Sequence, residues 1–398
     1  MRVLLRGPFL TNSGYGVHAR QFARWALNKA DWDVKFQALP WGVTPWIIDS
    51  TSEGGLIGRI MERTVAVGPN QPPYDLSIQV QLPNEWDPNL ARRNIGVTAA
   101  VETDRCNPEW IHACNRMDLV VVPSKFTAQT LRSTGPVAKE IRVIPEAFYD
   151  ELLDESIGPL DTEISTDFNF LLFGQLTGNN PENDRKNLFY SVKWIFEEFQ
   201  DQEDVGIILK TNSGKTTKID RLITKRFVNQ LIKETRPGSF PRVHFLHGRM
   251  KNEEMVGLMR HPKVKALVSL TRGEGYGLPL LEAAAADLPI VATNWSGHMD
   301  FLDADRISAV DYDLVPVHKS RIDNKIFMQG THWANPREAD AKKKLRKVYE
   351  KHNRFQTKAK QLGKMIRRDY CFDSISHRLN EMLEAPQLPT VAAPVFIR

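Results

Sequence analysis

Apolar positions along this chain recur in two periods, and their alternation sorts it into elements. Short apolar or alternating runs read as strands at residues 3–5, 33–39, 74–81, 95–101, 119–122 and 141–144. A second series lies at 170–173, 205–210, 243–246, 264–270 and 289–293. Between these runs the apolar residues fall at helical spacing. Val17, Phe22, Trp25, Ala26 and Leu27 mark one helix, and residues 125–133 follow Ser124, a good N-cap. Further helices are predicted over 188–200, 217–235, 252–259 and 280–286, and the basic stretch 336–383 reads as helical throughout. Strand and helix in repeated alternation predict an α/β protein with parallel sheets. Residues 40–70, with Trp41, Trp46 and several glycines, show little periodicity; they read either as a loop that carries specificity or as packed irregular structure.

The length of 398 residues predicts two to three domains. We place the first at 1–150 and an acidic, apolar-poor linker at 151–168. A second domain follows at 169–335, then helices at 336–385 and a loose tail at 386–398. The net charge of +5 and the pI of about 8.9 suit an anionic ligand or a nucleic-acid surface without requiring either. Cys106, Cys114 and Cys371 form no C-x-x-C pair, which argues against a disulfide framework or a zinc site. No apolar run reaches the ~20 residues of a membrane span. MRVLLRGPFL reads as a first strand rather than a signal peptide, so a cytoplasmic protein without stable membrane anchoring is expected.

Candidate chemistry concentrates after the predicted strand 264–270. Gly273, Gly275 and Gly277 alternate there, and Pro279 stands at the expected first position of the next helix. A loop at this place lies on the carboxyl edge of a parallel sheet, and the helix start offers free N–H groups to a phosphate. Glu274 and Glu282 bracket the loop, and carboxylates accept well from paired hydroxyls. An ordinary turn with two solvated glutamates is the plain alternative. The agreement of glycines, proline and both acids argues against it. Two other patterns are set aside. Asn212–Thr216 lacks the glycine that a P-loop needs, because Leu209 stands there. The Asp-x-Asp pairs at Asp31/Asp33, Asp303/Asp305 and Asp311/Asp313 follow no strand in a nucleotide-binding context, so no metal is expected.

The pattern EGYGLPLLE, followed by A-x-x-x-x-LPIVAT and Ser296-Gly297, resembles the donor-site signature of retaining glycosyltransferases of the family 4 kind, the glycosyl transferases group 1. The resemblance implies the GT-B fold: two Rossmann-like, doubly wound parallel-sheet domains facing a cleft, with C-terminal helices crossing back to the first. It implies that Glu274 contacts the donor sugar near the reacting carbon and that Glu282 holds the ribose hydroxyls. The backbone of Gly275, Tyr276, Gly277 and Leu278 would face the diphosphate. Lys186 matches the family's lysine at a helix start, with Arg185 beside it. Gln175 stands where an arginine is usual, and Lys210 ends a strand that would reach the cleft.

TNSGYGVHARQFARWAL resembles the family's N-terminal loop, with Gly14 and Gly16 as the positions of close approach. His18 and Arg20 would reach a phosphate or acceptor there, or else form a solvated first turn. VETDRCNPEW matches another recurrent segment, with Glu102 where many relatives carry histidine. Glu102 and Asp104 are read either as catalytic and acceptor-side groups or as an N-cap and a surface charge. The implied activity is retaining transfer from a nucleoside diphosphate sugar, UDP-linked before GDP-linked, to a hydroxyl. A glycan, a small molecule and a hydroxymethylated pyrimidine in phage-type DNA all stand as acceptors. A nucleotide-sugar-binding protein or an epimerase on the same fold is the reading from another class.

Overall fold

The computed structural model describes residues 1–68, 72–175 and 180–384. The tail expected from Pro386 lies outside the described residues. The chain forms two compact units. The first comprises Met1–Ala147, Asp323–Met328 and the chain from Asp373; the second comprises Phe148–Ile322 and Gln329–Phe372.

In the first unit the elements are β1 (Arg2–Gly7), α1 (Gly14–Leu27), β2 (Asp33–Ala38), α2 (Leu56–Glu62), β3 (Tyr74–Val80) and β4 (Ala91–Val97). Next come α3 (Glu109–Arg116), β5 (Leu119–Val122), α4 (Lys125–Thr134) and β6 (Ile141–Val143). The strands form one parallel sheet in the order β2-β1-β3-β4-β5-β6. β1 lies inside the sheet, paired with β2 and β3 on its two sides, and its Val3, Leu4 and Leu5 are fully buried. Ser13 caps α1 by accepting from Gly16 N at 3.0 Å, and Ser124 caps α4 by accepting from Thr127 N at 3.0 Å.

Two expectations for this unit are corrected. The strand expected over 95–101 is shifted towards the N-terminus. Pairing with β3 starts it at Ala91, and the chain leaves the sheet after Val97, reaching a left-handed φ of 49° at Ala100. Residues 40–70, which carry no clear period, contain α2, and Thr11 bridges to Trp46.

The second unit begins with β7 (Phe168–Gln175), α5 (Leu188–Glu198), β8 (Val205–Asn212), α6 (Lys218–Thr235) and β9 (Arg242–Leu246). It continues with α7 (Asn252–Met259), β10 (Val264–Ser269), α8 (Leu278–Ala285), β11 (Ile290–Thr293) and β12 (Ser308–Val310). Its parallel sheet runs β12-β11-β10-β7-β8-β9, which puts the apolar β7 and β10 side by side in the middle. β13 (Tyr312–Pro316) and β14 (His332–Pro336) form an antiparallel ribbon that sequence reading did not anticipate. α9 (Glu338–Glu350) and α10 (His352–Asp369) pack within this unit, through contacts such as Arg346 Nε to Glu198 at 2.7 Å. α11 (Phe372–Glu384) groups with the first unit, where Asn380 Oδ1 accepts from Trp25 Nε1 at 2.8 Å.

Candidate functional site

In the second unit the carboxyl ends of β7, β8, β10 and β11 carry the polar residues that the sequence singles out. The loop 271–277 leaves β10 and is buried along its whole length. Gly277 is the N-cap of α8, with φ at +104°, a conformation that glycine adopts without penalty. Helix α8 therefore begins at Leu278. Pro279 is its second residue rather than its first, a correction of one position.

Three neighbouring segments hold the loop in shape. Ser296 Oγ accepts from Glu274 N at 2.9 Å, and Gly297 N donates to Glu274 O at 2.9 Å. A Cβ at Gly297 would stand 2.1 Å from Gly275 O, so only glycine lets the strand-end turn pack this closely. Arg272 N donates to Arg185 O at 2.8 Å, and Ala334 N of β14 donates to Arg272 O at 2.9 Å. The buried Arg272 guanidinium donates to Asn335 at 2.9 Å and lies over the Trp333 ring at 5.4 Å.

Lys186 and Arg185 reach the same loop from the start of α5. Asp184 positions them: its carboxylate accepts from Lys186 N at 3.0 Å and from Leu188 N at 2.7 Å, satisfying donors at the helix start. Lys186 Nζ donates to Glu274 Oε1 at 2.6 Å. Arg185 NH1 donates to Gly273 O at 2.6 Å and stands 3.2 Å from Glu274 Oε2. Burial opposes ionisation of Glu274, which is 7 % exposed, but the two cations and the Lys186 hydrogen bond prevail and hold its carboxyl down at about 2. A cavity of about 130 Å³ lies here, lined by Phe173, Gly174, Lys186, Glu274 and Gly277.

The other acid behaves oppositely. Glu282 is half-buried on α8, and burial pushes its carboxyl up to about 8. Tyr149 lies near it. Its buried hydroxyl has no hydrogen-bond partner among the described residues, and burial, then Glu282, raise its pKa. Lys210 Nζ donates to Gly248 O at 2.9 Å, and burial lowers its pKa. Gln175 is exposed at the end of β7. The Tyr276 side chain packs into the core against Phe301.

The first unit gathers a separate group. Gly14 opens α1 with free space around it, whereas a Cβ at Gly16 would lie 2.2 Å from Thr11 O. Tyr15 stacks on Trp41 at 3.9 Å between centroids; its hydroxyl pairs with Thr98 Oγ1 at 3.0 Å and accepts from Ala99 N at 2.9 Å. The glycine loop and the turn after β4 are thereby tied together. His18 is buried, which pushes its pKa down to about 3, and its Nδ1 stands 3.9 Å from Glu146. Glu102 and Asp104 are half-buried in the turn after β4. Arg20 points inward: NH1 donates to Phe9 O at 3.0 Å and Thr11 O at 2.9 Å, and Nε meets Glu53 at 2.7 Å. Both the solvated-turn reading and the phosphate reading of Arg20 give way to a brace beneath the loop.

Residues 229–310 match the model of the family described as glycosyl transferases group 1. This stretch is similar to a group 1 glycosyltransferase domain. The matched stretch contains Glu274, Glu282 and the Ser296–Gly297 turn, whereas Arg185 and Lys186 lie outside it. No curated protein matches the chain in sequence. Among solved structures, it is similar to sucrose-phosphate synthase (tll1590) from Thermosynechococcus elongatus, with a TM-score of 0.63 at 13% identity over 96% of this chain and 98% of that one. It is similar to Anabaena Alr3699/HepE in complex with UDP-glucose, with a TM-score of 0.63 at 14% identity over 96% and 99% of the two chains. It also resembles the lipopolysaccharide outer core galactosyltransferase WaaB in its apo form, with a TM-score of 0.59 at 13% identity over 96% and 99%. These likenesses show the fold, which is GT-B with two Rossmann-like parallel-sheet domains.

Sequence reasoning missed Ser296 and His298 as supports of the loop, and Asp184, Tyr15 and Tyr149. His298 is fully buried and neutral; its pKa is lowered by burial, and Nε2 donates to Thr293 O at 2.7 Å. Its place in the turn after β11 was the available signal, because the turn after a parallel strand lies at the carboxyl edge of the sheet.

Proposed function

We propose that the protein is a retaining glycosyltransferase that moves a sugar from a nucleoside diphosphate sugar, UDP-linked by preference, to a hydroxyl acceptor. The observation that carries this reading is the buried Glu274 carboxylate held by Lys186 and Arg185 at the start of α8. The diphosphate is the competing anion for those two cations. On binding it takes Lys186 and Arg185, together with the amides of residues 275–278, and Glu274 is released to accept from sugar hydroxyls. Glu282 and Tyr149 receive the ribose end.

As the bond from the sugar C1 to the phosphate oxygen breaks, its electron pair leaves with the diphosphate. The growing charge falls on the two cations and the loop amides. The acceptor oxygen forms the new bond to C1 on the face the diphosphate leaves, and its proton passes to a departing phosphate oxygen. C1 is oxocarbenium-like between the two bonds. Because Lys186 and Arg185 neutralise the leaving group, the proposal calls on no metal. Gly14 and Gly16 are assigned to the donor phosphates, and Glu102, Asp104 and His18 to the acceptor half of the reaction. The UDP-glucose complex of HepE supports a UDP-sugar donor.

The test is a melting-temperature series with UDP, GDP, ADP and their sugar conjugates. A native-state ligand at about a hundred times its dissociation constant adds roughly 2.7 kcal/mol. A selective shift with uridine compounds is expected. No shift with any of them would overturn the proposal.

A further inference from the structure

Helix α6 has two faces of opposite character. Asp220, Thr224, Val228 and Leu231 turn inward onto the unit. On the outward face Ile219, Leu222 and Ile223 are 71%, 61% and 54% exposed. Their spacing, i, i+3 and i+4, makes them one contiguous aliphatic patch. The surrounding charge is of one sign. Between residues 213 and 226, around the patch, Lys215, Lys218, Arg221, Lys225 and Arg226 are all exposed and basic. The sole acid of that stretch, Asp220, is buried and paired with His247 Nε2 at 2.7 Å. An aliphatic patch ringed by cations, with its one anion withdrawn into the core, is an amphipathic surface built for a negatively charged apolar boundary.

We propose that this face of α6 docks the protein reversibly on an anionic lipid bilayer. Ile219, Leu222 and Ile223 enter the headgroup region, and the lysines and arginines around them meet lipid phosphates. The chemistry of the patch selects this occupant over nucleic acid. Single strands need flat rings for stacking, and a duplex backbone would leave three aliphatic side chains against phosphate oxygens. The contact is peripheral, since among the described residues no helix is long and apolar enough to cross a membrane. It is independent of the nucleotide-sugar reading, because none of these residues belongs to the donor site.

The experiment is flotation of the full chain with vesicles of phosphatidylcholine alone and of phosphatidylcholine mixed with phosphatidylglycerol. Binding to the mixed vesicles only is expected, weakening as salt screens the charges. The triple variant Ile219→Ser/Leu222→Ser/Ile223→Ser should lose about tenfold or more in partitioning. Its melting temperature should stay near that of the parent, because exposed positions carry little stability. Reversing charge with Lys218→Glu/Arg221→Glu/Lys225→Glu should abolish flotation with the aliphatic patch intact. The proposal is overturned if the parent protein ignores both vesicle types or if either triple variant floats as the parent does. Retention on a short DNA duplex in place of the vesicles also overturns it.

Discussion

Replacing Glu274 with Gln removes one charge and almost no volume. In the parent protein the carboxyl lies at about 2 instead of its ordinary 4.5, because Lys186 and Arg185 outweigh the cost of burying it. At about 1.4 kcal/mol per factor of ten in proton affinity, this amounts to on the order of 3 kcal/mol of folding stability at pH 7. A depressed acid contributes its full share above pH 4.5 and loses it as the pH falls towards 2. Glu274→Gln should therefore melt roughly 6–12 °C lower at neutral pH, and the two proteins should converge in acid. Nucleotide binding should move the other way. With the carboxylate gone, Lys186 and Arg185 stand together without their shared anion, so UDP should bind at least as tightly as before. Transfer should nonetheless fall by about a hundredfold or more, since the group proposed to face the sugar is lost. Thermal unfolding across pH, calorimetric titration with UDP and a donor-turnover assay read the three effects separately. An unchanged melting temperature at pH 7 would refute the electrostatic argument, and turnover close to the parent rate would refute the role of Glu274.

Glu282 should show the opposite pH dependence. Burial raises its carboxyl to about 8, so the folded protein loses stability as the pH rises from 4.5 to about 8. Glu282→Gln should gain in melting temperature over that window and then level off. UDP affinity should climb towards pH 8 in the parent but stay flat in the variant, if the ribose requires the ionised carboxylate. Gly297→Ala places a Cβ 2.1 Å from Gly275 O and should cost about 1–3 kcal/mol or more while displacing Glu274. Gly14→Ala meets open space, so it should leave stability unchanged or slightly raised; a loss of activity there would mark a close ligand. Tyr149→Phe removes a buried hydroxyl that has no partner among the described residues and should stabilise the ligand-free protein by about 1 kcal/mol, a gain that thermal unfolding would detect.

Much of the architecture was legible because its cause is local. Apolar runs such as those read at 170–173 and 264–270 cannot sit in water, and helical spacing between them leaves a parallel sheet as the way to bury them. Gly273, Gly275 and Gly277 between a strand and a helix place a loop at the carboxyl edge of the sheet, because the strand's direction alone fixes which sheet edge that loop occupies. Errors came where pairing partners set the limits. β4 starts at Ala91 because β3 is there to receive it, and β13 with β14 forms a ribbon that no period announces.

What only the tertiary structure decided is how each charged group is used. Arg20 and Arg185 look alike in sequence, each beside a glycine loop or a helix start. One is turned under its loop onto the carbonyls of Phe9 and Thr11; the other is aimed at Glu274. Glu274 and Glu282 share one motif, yet the first is held far below the ordinary carboxyl range and the second well above it. The difference arises because Lys186 and Arg185, far back along the chain, face only one of them. Charge–charge energies depend on distance and burial in space, and neither is written in the order of residues.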